Sequence, residues 1–528
     1  DAAGMPLSVI RITKNRWEID NASTLSKISY WVEDTWDADV EELVFEPGGT
    51  NIEAGENVIL NNHGFFGYFD GMKHLKYEVN VTRPENFYGT TGLTTVTTNG
   101  NVDQFTTENY MDLVDAPIMY NVPDTLTFNI GGAEILISVY SKNKTATAAE
   151  LGIDIKKILE LQSAYLGGKL PIDKYAFIIY LYEGQSGSGG SGALEHSYSS
   201  LYYLPEMSAE QLSGFLVRVA AHEFFHIVTP LNIHAEEIGD FDYINPKMSK
   251  HLWMYEGVTE YFANLFQVNQ GLITEQEFIN AMEGKISTSM RFDDKMSFTE
   301  MSKNILDPKY AKNYSNVYMK GALIGMTLDI ILREESKGTY GIRNLMLDLS
   351  KKYGAKKAFK DDEIIAEIVQ MTYPAVGEFF KNNIEGTTPI NYDEIFKKVG
   401  ISKKKKTVNT RYFIDNSNQP YITVNAKREI IFMDKTNSGL AALGVQANDV
   451  LKKVNGEDFT LQTANTIIVK TFAWKAGDSI TLDIIRDGKP MTLKGTAILP
   501  QAEQVGMVIE DLPADNPKTI LRNAWLKG

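Results

Sequence analysis

The amino-acid sequence predicts a multidomain protein with an N-terminal all-β domain, a central α+β domain and a C-terminal β domain. At 528 residues, of which 43% are hydrophobic, the chain is too long for a single core. Strand-like segments fill the N-terminal part, helical periodicity dominates the middle, and short strands return near the C-terminus. We therefore place the domains at residues 1–148, 149–402 and 407–528.

The first domain is predicted to consist of strands. Residues 7–19 and 27–36 alternate or run apolar with β-branched and aromatic side chains, which is typical of strands. The dipeptides Asn99-Gly100 and Gly131-Gly132 indicate turns, because these residues tolerate the backbone angles that hairpins need.

The second domain is predicted to begin with a helix, a buried strand and a Gly/Ser-rich loop, at residues 148–166, 175–182 and 184–192. Ser208 and Gln211 can then form a capping pair for a helix that Pro230 ends. Two later helices are expected to begin at Ser249 and at Tyr314.

Short strands return after the basic run Lys403–Lys406, which we interpret as a solvated linker. Residues 437–456 contain a turn, a short helix and an Asn-Asp step before a strand ending in V-N-G, and an R-D-G-K hairpin follows at Arg486–Lys489. This order resembles a bacterial PDZ domain, so the resemblance implies a PDZ-like third domain. Such a domain either captures a peptide by strand addition or serves only as a packing module.

Composition and charge argue against several classes of protein. The formal charge of −16 and the pI near 5.1 disfavour nucleic-acid binding. We expect no membrane span, because no window approaches 18 uninterrupted apolar residues. The absence of cysteine leaves histidine and carboxylates as the strong metal ligands. Since the numbering begins at Asp1 without an initiator Met, we expect that a signal peptide was removed and that the protein is secreted or periplasmic.

The stretch H-E-F-F-H at His222–His226 carries the main chemical signal. Two histidines four positions apart lie on one face of a helix, with a glutamate on its flank. Catalytic zinc takes three protein ligands and keeps one position for a water whose pKa falls to about 7. We therefore predict one Zn²⁺ held by His222 and His226, with Glu223 accepting a proton from the water and passing it to the leaving amine.

Glu256 is the best candidate for the third zinc ligand. It lies in a W-x-x-E-G segment on the next predicted helix, and Glu260, one turn later, lies on the same face. Glu260 would then accept a hydrogen bond from a ligand imidazole. The roles of these two glutamates could also be exchanged.

These motifs resemble those of the gluzincin metallopeptidases, and the full set is similar to the PDZ-bearing glycyl aminopeptidases, metallopeptidase family sixty-one. The matching segments are Gly192–His196, His222–His226, Phe241–Tyr243, Leu252–Phe262 and Tyr318–Leu323. The 29 residues between His226 and Glu256 exceed the connection in thermolysin-like and aminopeptidase N-like enzymes and favour this family. The resemblance implies a thermolysin-like, gluzincin-type catalytic domain between the two β domains.

The resemblance also implies roles outside the zinc motif. Tyr318 would donate a hydrogen bond from its hydroxyl to the developing oxyanion, and Tyr314 is the alternative donor. Glu195 would bind the free α-amino group of the substrate, beside Gly192 and Ala193.

Together these residues predict a zinc aminopeptidase that acts on peptides with a free N-terminus and prefers small first residues such as Gly or Ala. One alternative is a zinc endopeptidase in which Glu195 is structural. Another is a non-catalytic, PDZ-bearing adaptor that binds peptides and keeps a vestigial metal site.

Overall fold

The computed structural model describes residues 1–37, 44–184, 186–187, 191–415 and 419–528. These residues form two compact units. The first comprises Asp1–Thr274, Phe292–Ile390 and Asn523–Gly528, and the second comprises Glu275–Arg291 and Asn391–Arg522. No helix within the described ranges is long and apolar enough to cross a bilayer.

The N-terminal region of the first unit is β-rich, as predicted. Its elements are β1 Val9–Thr13, β2 Arg16–Ile19, β3 Asn51–Glu53, β4 Asn57–Leu60, α1 Asn62–Phe65, β5 Tyr77–Thr82, β6 Tyr88–Thr91, β7 Thr95–Asn99, β8 Val102–Thr107, α2 Tyr110–Val114 and β9 Ile118–Asn121. β1 and β2 form a hairpin, β3-β4-β9-β6 a four-stranded sheet and β5-β8-β7 a three-stranded sheet. Residues 27–36 form no strand, so that prediction is wrong; most of their side chains are exposed and none of these sheets includes them.

A five-stranded sheet joins this region to the helices of the first unit. Its strands and crossover helix are β10 Thr125–Ile130, β11 Ala133–Ser141, α3 Ala148–Tyr165, β12 Lys174–Tyr182, β13 Gly192–His196 and β14 Ser199–Pro205. The strand order is β10-β11-β12-β14-β13; the three central strands are parallel, and β10 and β13 are antiparallel to their neighbours. The predicted domain boundary at residue 148 thus lies between β11 and β12 in the sequence, although these two strands are paired in the sheet.

Helices dominate the chain from residue 209 to residue 398. They are α4 Ala209–Phe225, α5 Glu236–Gly239, α6 Thr259–Asn269, α7 Glu275–Ser289, α8 Phe298–Lys303, α9 Pro308–Ala311, α10 Asn316–Glu335, α11 Ile342–Lys352, α12 Ile364–Met371, α13 Pro374–Phe379 and α14 Tyr392–Lys398. π-helical turns occupy Trp253–Val258, before α6, and Phe380–Ile384, after α13.

The predicted capping pair of α4 is confirmed, but its predicted end is wrong. The Ser208 side chain accepts from the backbone N–H of Gln211, and the Gln211 side chain accepts from that of Ser208. The helix ends at Phe225 rather than at Pro230, because the backbone N–H groups of His226, Ile227 and Val228 bond three residues back.

The second unit combines α7 and α14 with the C-terminal strands. These later elements are β15 Ile401–Asn409, β16 Ile422–Val424, β17 Ile430–Phe432, α15 Ser438–Ala442, β18 Val450–Val454, β19 Glu457–Asp458, α16 Ala464–Thr471, β20 Ser479–Arg486, β21 Lys489–Thr496 and β22 Gln501–Ile509. The last helix, α17 Pro517–Lys527, belongs to the second unit up to Arg522 and to the first unit from Asn523. The strands β16 to β21 form one sheet, with β16 and β21 at its edges, over a core that includes Phe413, Leu451 and Leu482.

The basic run Lys403–Lys406 is part of a strand, so the interpretation as a linker is wrong. It lies inside β15, where every residue is paired with one on β22. Lys403 Nζ lies 2.8 Å from Asp393 Oδ1, and Lys406 Nζ lies 2.8 Å from Glu283 Oε2. These ion pairs and the backbone ladder offset the low strand propensity of lysine.

Candidate active site

The two histidines of the H-E-F-F-H motif lie one turn apart although the α-helix ends between them. His222 is in the last turn of α4, and His226 follows directly with a helical backbone (φ −60°, ψ −17°). Their ring centroids are 4.9 Å apart and the ring planes are at 81°. His222 is 9% exposed and His226 is 1% exposed. The predicted juxtaposition is therefore present in a buried position.

Glu256 reaches both imidazoles from the π-helical turn Trp253–Val258. Its Oε2 lies 3.3 Å from His222 Nε2 and 3.7 Å from His226 Nε2. The sequence predicted an ordinary α-helix here. A π-turn contains an extra residue per turn and occurs often at functional sites.

Both imidazoles are oriented through their other ring nitrogen. His222 Nδ1 lies 2.8 Å from Glu260 Oε2, and His226 Nδ1 lies 3.0 Å from the carbonyl oxygen of Thr229. Since carbonyl and carboxylate oxygens only accept hydrogen bonds, each Nδ1 carries a proton and donates it. Both Nε2 atoms then face the Glu256 carboxylate, an arrangement that a cation between them stabilises.

The spacing of these groups fits a zinc ion. Zinc bonds to nitrogen and oxygen are about 2.0–2.2 Å long, so a tetrahedral centre separates its ligand atoms by about 3.3–3.5 Å. The two distances from Glu256, 3.3 and 3.7 Å, are close to this value. One ligand atom from each of His222, His226 and Glu256 lies within 4.8 Å of the other two.

The electrostatics of the cluster also favour a cation. Burial alone would lower the pKa of His222, but the carboxylates of Glu256 and Glu260 outweigh it and raise that pKa well above its usual value. Burial would raise the pKa of Glu256, yet its contacts with His222 and His226 lower it. The glutamate thus stays negative, and positive charge is stabilised beside it.

Glu223 lies next to this cluster. It is 7% exposed, and one of its carboxylate oxygens is within 4.8 Å of a ligand atom of Glu195 and of His226. Burial raises the pKa of Glu223 to about 8; His222 opposes this shift, and the neighbouring carboxylates, Glu195 foremost, add to it. A dication in the site would favour the charged form and lower this pKa again.

Glu195 enters the site from the edge strand β13, which also contains Gly192 and Ala193. Among the strands that the structure describes, β13 pairs with β14 alone, so its other edge has no strand partner there. Successive side chains of a strand alternate between faces, and the next residue, His196, accordingly has a different neighbour: its Nδ1 lies 3.4 Å from Asp115 Oδ1.

Two tyrosines lie beside the cluster. The ring centroid of Tyr318, on α10, is 5.6 Å from that of His222, and its hydroxyl is 3.2 Å from the hydroxyl of Tyr314. Burial raises the pKa of Tyr314 to about 12 and that of Tyr318 further, helped in both cases by the charge of Glu256. Both hydroxyls therefore remain protonated and able to donate at neutral pH. Both tyrosines are thus candidates for the oxyanion donor.

Two glycines that the sequence analysis did not single out set the distance between the π-turn and α10. A Cβ added to Gly321 would lie 2.8 Å from the Cα of Gly257, and one added to Gly257 would lie 2.6 Å from the carbonyl carbon of Gly321. Such distances are too short for a real contact, so only glycine permits this approach. The sequence signal for this contact was the glycine that directly follows Glu256 and the glycine that directly follows Lys320.

Replacing Gly321 with Ala is expected to lower the free energy of unfolding by about 1–3 kcal/mol, because the new methyl group overpacks this contact. The kcat of the reaction at this site should fall by about 10- to 100-fold, since Tyr318 and Glu256 are pushed apart. Denaturant unfolding and steady-state kinetics measure both. The control is Gly214→Ala on α4, where a Cβ meets nothing within 4 Å; unchanged kcat in Gly321→Ala would contradict the positioning role.

Two segments of the chain match models of one peptidase family. Residues 1–121 match the peptidase M61 N-terminal domain, and residues 216–324 match the M61 glycyl aminopeptidase domain. An aminopeptidase N family protein from Idiomarina loihiensis has a similar fold, with a TM-score of 0.65 and 20% identity over 98% of this chain and 89% of that one.

An M1 zinc metallopeptidase from Deinococcus radiodurans is more distant, with a TM-score of 0.44 and 13% identity over 68% of this chain and 75% of its own. A search among curated proteins found no match. The second M61 match includes both histidines, Glu223, Glu256 and Tyr318. The matches therefore place an M61 N-terminal domain at residues 1–121 and an M61 glycyl aminopeptidase domain at residues 216–324, and together with the cluster of His222, His226 and Glu256 they identify a zinc metallo-aminopeptidase.

Proposed function

We propose that the enzyme hydrolyses the first peptide bond of peptides that have a free α-amino group, with small first residues such as Gly or Ala preferred. The observation that carries this proposal is the position of Glu195, whose carboxylate lies within 4.8 Å of ligand atoms of Glu223 and His226. A carboxylate fixed beside the reaction centre pairs with an ammonium group, and it leaves a blocked N-terminus without a partner.

The side chains around the zinc position have distinct roles in this proposal. His222, His226 and Glu256 hold the ion, and Glu260 orients His222. Bound zinc supplies Lewis-acid activation of water and of the peptide carbonyl. Glu223 accepts the proton of the attacking water and later gives it to the leaving amine.

Tyr318 donates its hydroxyl to the oxygen of the carbonyl as it becomes an oxyanion, with Tyr314 hydrogen-bonded behind it. Glu195 anchors the α-amino group, and the backbone of Gly192 and Ala193 on the same edge strand lies beside the peptide. The contacts with Glu195 and with this backbone place the first peptide bond, rather than a later one, against Glu223.

Peptides with free and with acetylated N-termini test the proposal. We expect measurable kcat/KM only for the free peptide, and we expect Glu195→Gln to lower it by about 10- to 150-fold, the equivalent of a charge-assisted hydrogen bond of about 1.5–3 kcal/mol. Glu160→Gln, at an exposed position on α3, is the control. Equal cleavage of both peptides would instead support an endopeptidase in which Glu195 is structural. A series of peptides that differ only in the first residue tests the preference for Gly and Ala.

We also propose that the sheet β16 to β21, with α15 and α16, is a PDZ-like module. The resemblance of residues 437–456 and the position of β16 at the edge of its sheet support this proposal. A peptide would then add a strand along β16. Titration of fluorescent peptides with a free C-terminus into the 528-residue protein checks it. A lack of binding would indicate that the module serves only for packing.

A further inference from the structure

The last six residues of the chain belong to the same compact unit as the zinc-binding cluster. Asn523–Gly528 are part of the first unit, whereas residues 391–522 belong to the second. Within this segment Trp525 is 1% exposed and Leu526 is fully buried. This segment is therefore part of the core of the first unit.

Trp525 begins a buried chain of hydrogen bonds. Its indole Nε1–H donates to the hydroxyl of Tyr261 at 2.7 Å, and that hydroxyl donates to Asp329 Oδ2 at 2.8 Å. Asp329 Oδ1 in turn accepts from the backbone N–H of Ile342 at 2.9 Å and from Arg333 Nε at 3.1 Å. Tyr261 and Asp329 are both fully buried. Loss of one bond would thus leave a desolvated polar group without its partner.

This series of hydrogen bonds joins α6 and α10, the two helices that contribute to the site in addition to α4. Tyr261 lies on α6, directly after Glu260, whose carboxylate orients the imidazole of His222. Asp329 lies on α10, three turns after Tyr318. The Tyr261–Asp329 bond therefore fixes α6 along α10, and the contact of Gly257 with Gly321 fixes the preceding π-turn on the same helix.

We propose that Trp525 is a positioning residue of the zinc site. Its N–H holds the Tyr261 hydroxyl in the orientation that donates to Asp329, and this sets the position of α6 from which Glu260 reaches His222. The consequence for zinc affinity follows from the metal cluster alone. The consequence for turnover rests on the proposed function, because it assumes that Tyr318 acts on the substrate.

The test uses the 528-residue protein with Trp525→Phe, which keeps a large aromatic ring and removes the N–H. Trp31→Phe, the same change at a residue that is 98% exposed, is the matched control. We expect zinc affinity, measured by chelator competition, to fall by about 3- to 10-fold, less than the 10- to 100-fold typical of a direct partner of a metal-ligating histidine. kcat should fall with KM unchanged. Tyr261→Phe, which removes the same hydroxyl, should give an equal or larger loss.

A double-mutant cycle separates positioning from general destabilisation. In a Glu260→Gln background, Trp525→Phe should cause no further loss of zinc affinity, because the route through His222 is already broken. Two results would overturn the proposal: a lower melting temperature with wild-type zinc affinity, or a full additional loss in the Glu260→Gln background. If the wild-type enzyme binds zinc but cleaves free and acetylated peptides equally, the proposed function is wrong. The zinc affinities of the variants still test the role of Trp525 in that case.

Discussion

Glu223→Gln should lower kcat by about 10²- to 10⁴-fold, the contribution expected of a general acid–base group. The carboxamide has the same shape as the carboxylate but cannot accept the proton of the attacking water. The substitution should leave zinc in place, because the proposed ligand set of His222, His226 and Glu256 converges without Glu223. Steady-state kinetics with a free peptide, together with the zinc content of the same preparation, measures both parts.

The control for this change is again Glu160→Gln on α3, which alters an exposed carboxylate in the same unit. Wild-type turnover by Glu223→Gln would remove Glu223 from the mechanism. A variant that had lost its zinc would instead show that Glu223 is a ligand.

Glu256→Gln should weaken zinc binding by more than about 100-fold and abolish activity at limiting zinc, because it removes the only negative ligand from the proposed set. Glu260→Gln should weaken zinc binding by about 10- to 100-fold, as is typical when the partner that orients a ligand histidine is lost. The order follows from the geometry, since Glu256 contacts both Nε2 atoms whereas Glu260 contacts Nδ1 of His222. Competition with a chromophoric chelator measures both affinities.

These two variants also decide which of Glu256 and Glu260 is the zinc ligand and which orients His222, a choice that the sequence left open. Equal losses in the two variants, or a larger loss in Glu260→Gln, would indicate that Glu260 is the ligand. Excess zinc should restore activity to Glu260→Gln more readily than to Glu256→Gln.

The parts of the fold that could be predicted are those governed by local rules. The capping pair of Ser208 and Gln211 starts α4 where expected, and the four-residue spacing brings His222 and His226 together even though the helix ends at Phe225. The hairpin at Gly131-Gly132 is confirmed for the same reason. Local hydrogen bonding and helical period need no information from distant residues.

The features that were missed depend on tertiary contacts. The π-turn that carries Glu256 lies against α10 through Gly257 and Gly321, residues 64 positions apart in the sequence. The strand at Lys403–Lys406 forms because β22, about 100 residues later, pairs with it. The place of Trp525 in the first unit likewise depends on Tyr261 and Asp329. No pattern within a short window predicts such pairings.

The central claim is that His222, His226 and Glu256 hold one catalytic zinc, and a crystal structure with anomalous diffraction at the zinc edge tests it most directly. We predict a single strong peak at about 2.0–2.1 Å from both Nε2 atoms and about 2.0–2.2 Å from a Glu256 oxygen. Protein that carries no zinc when purified without chelator, or a peak bound by Glu195 and Glu223 instead, would contradict the account.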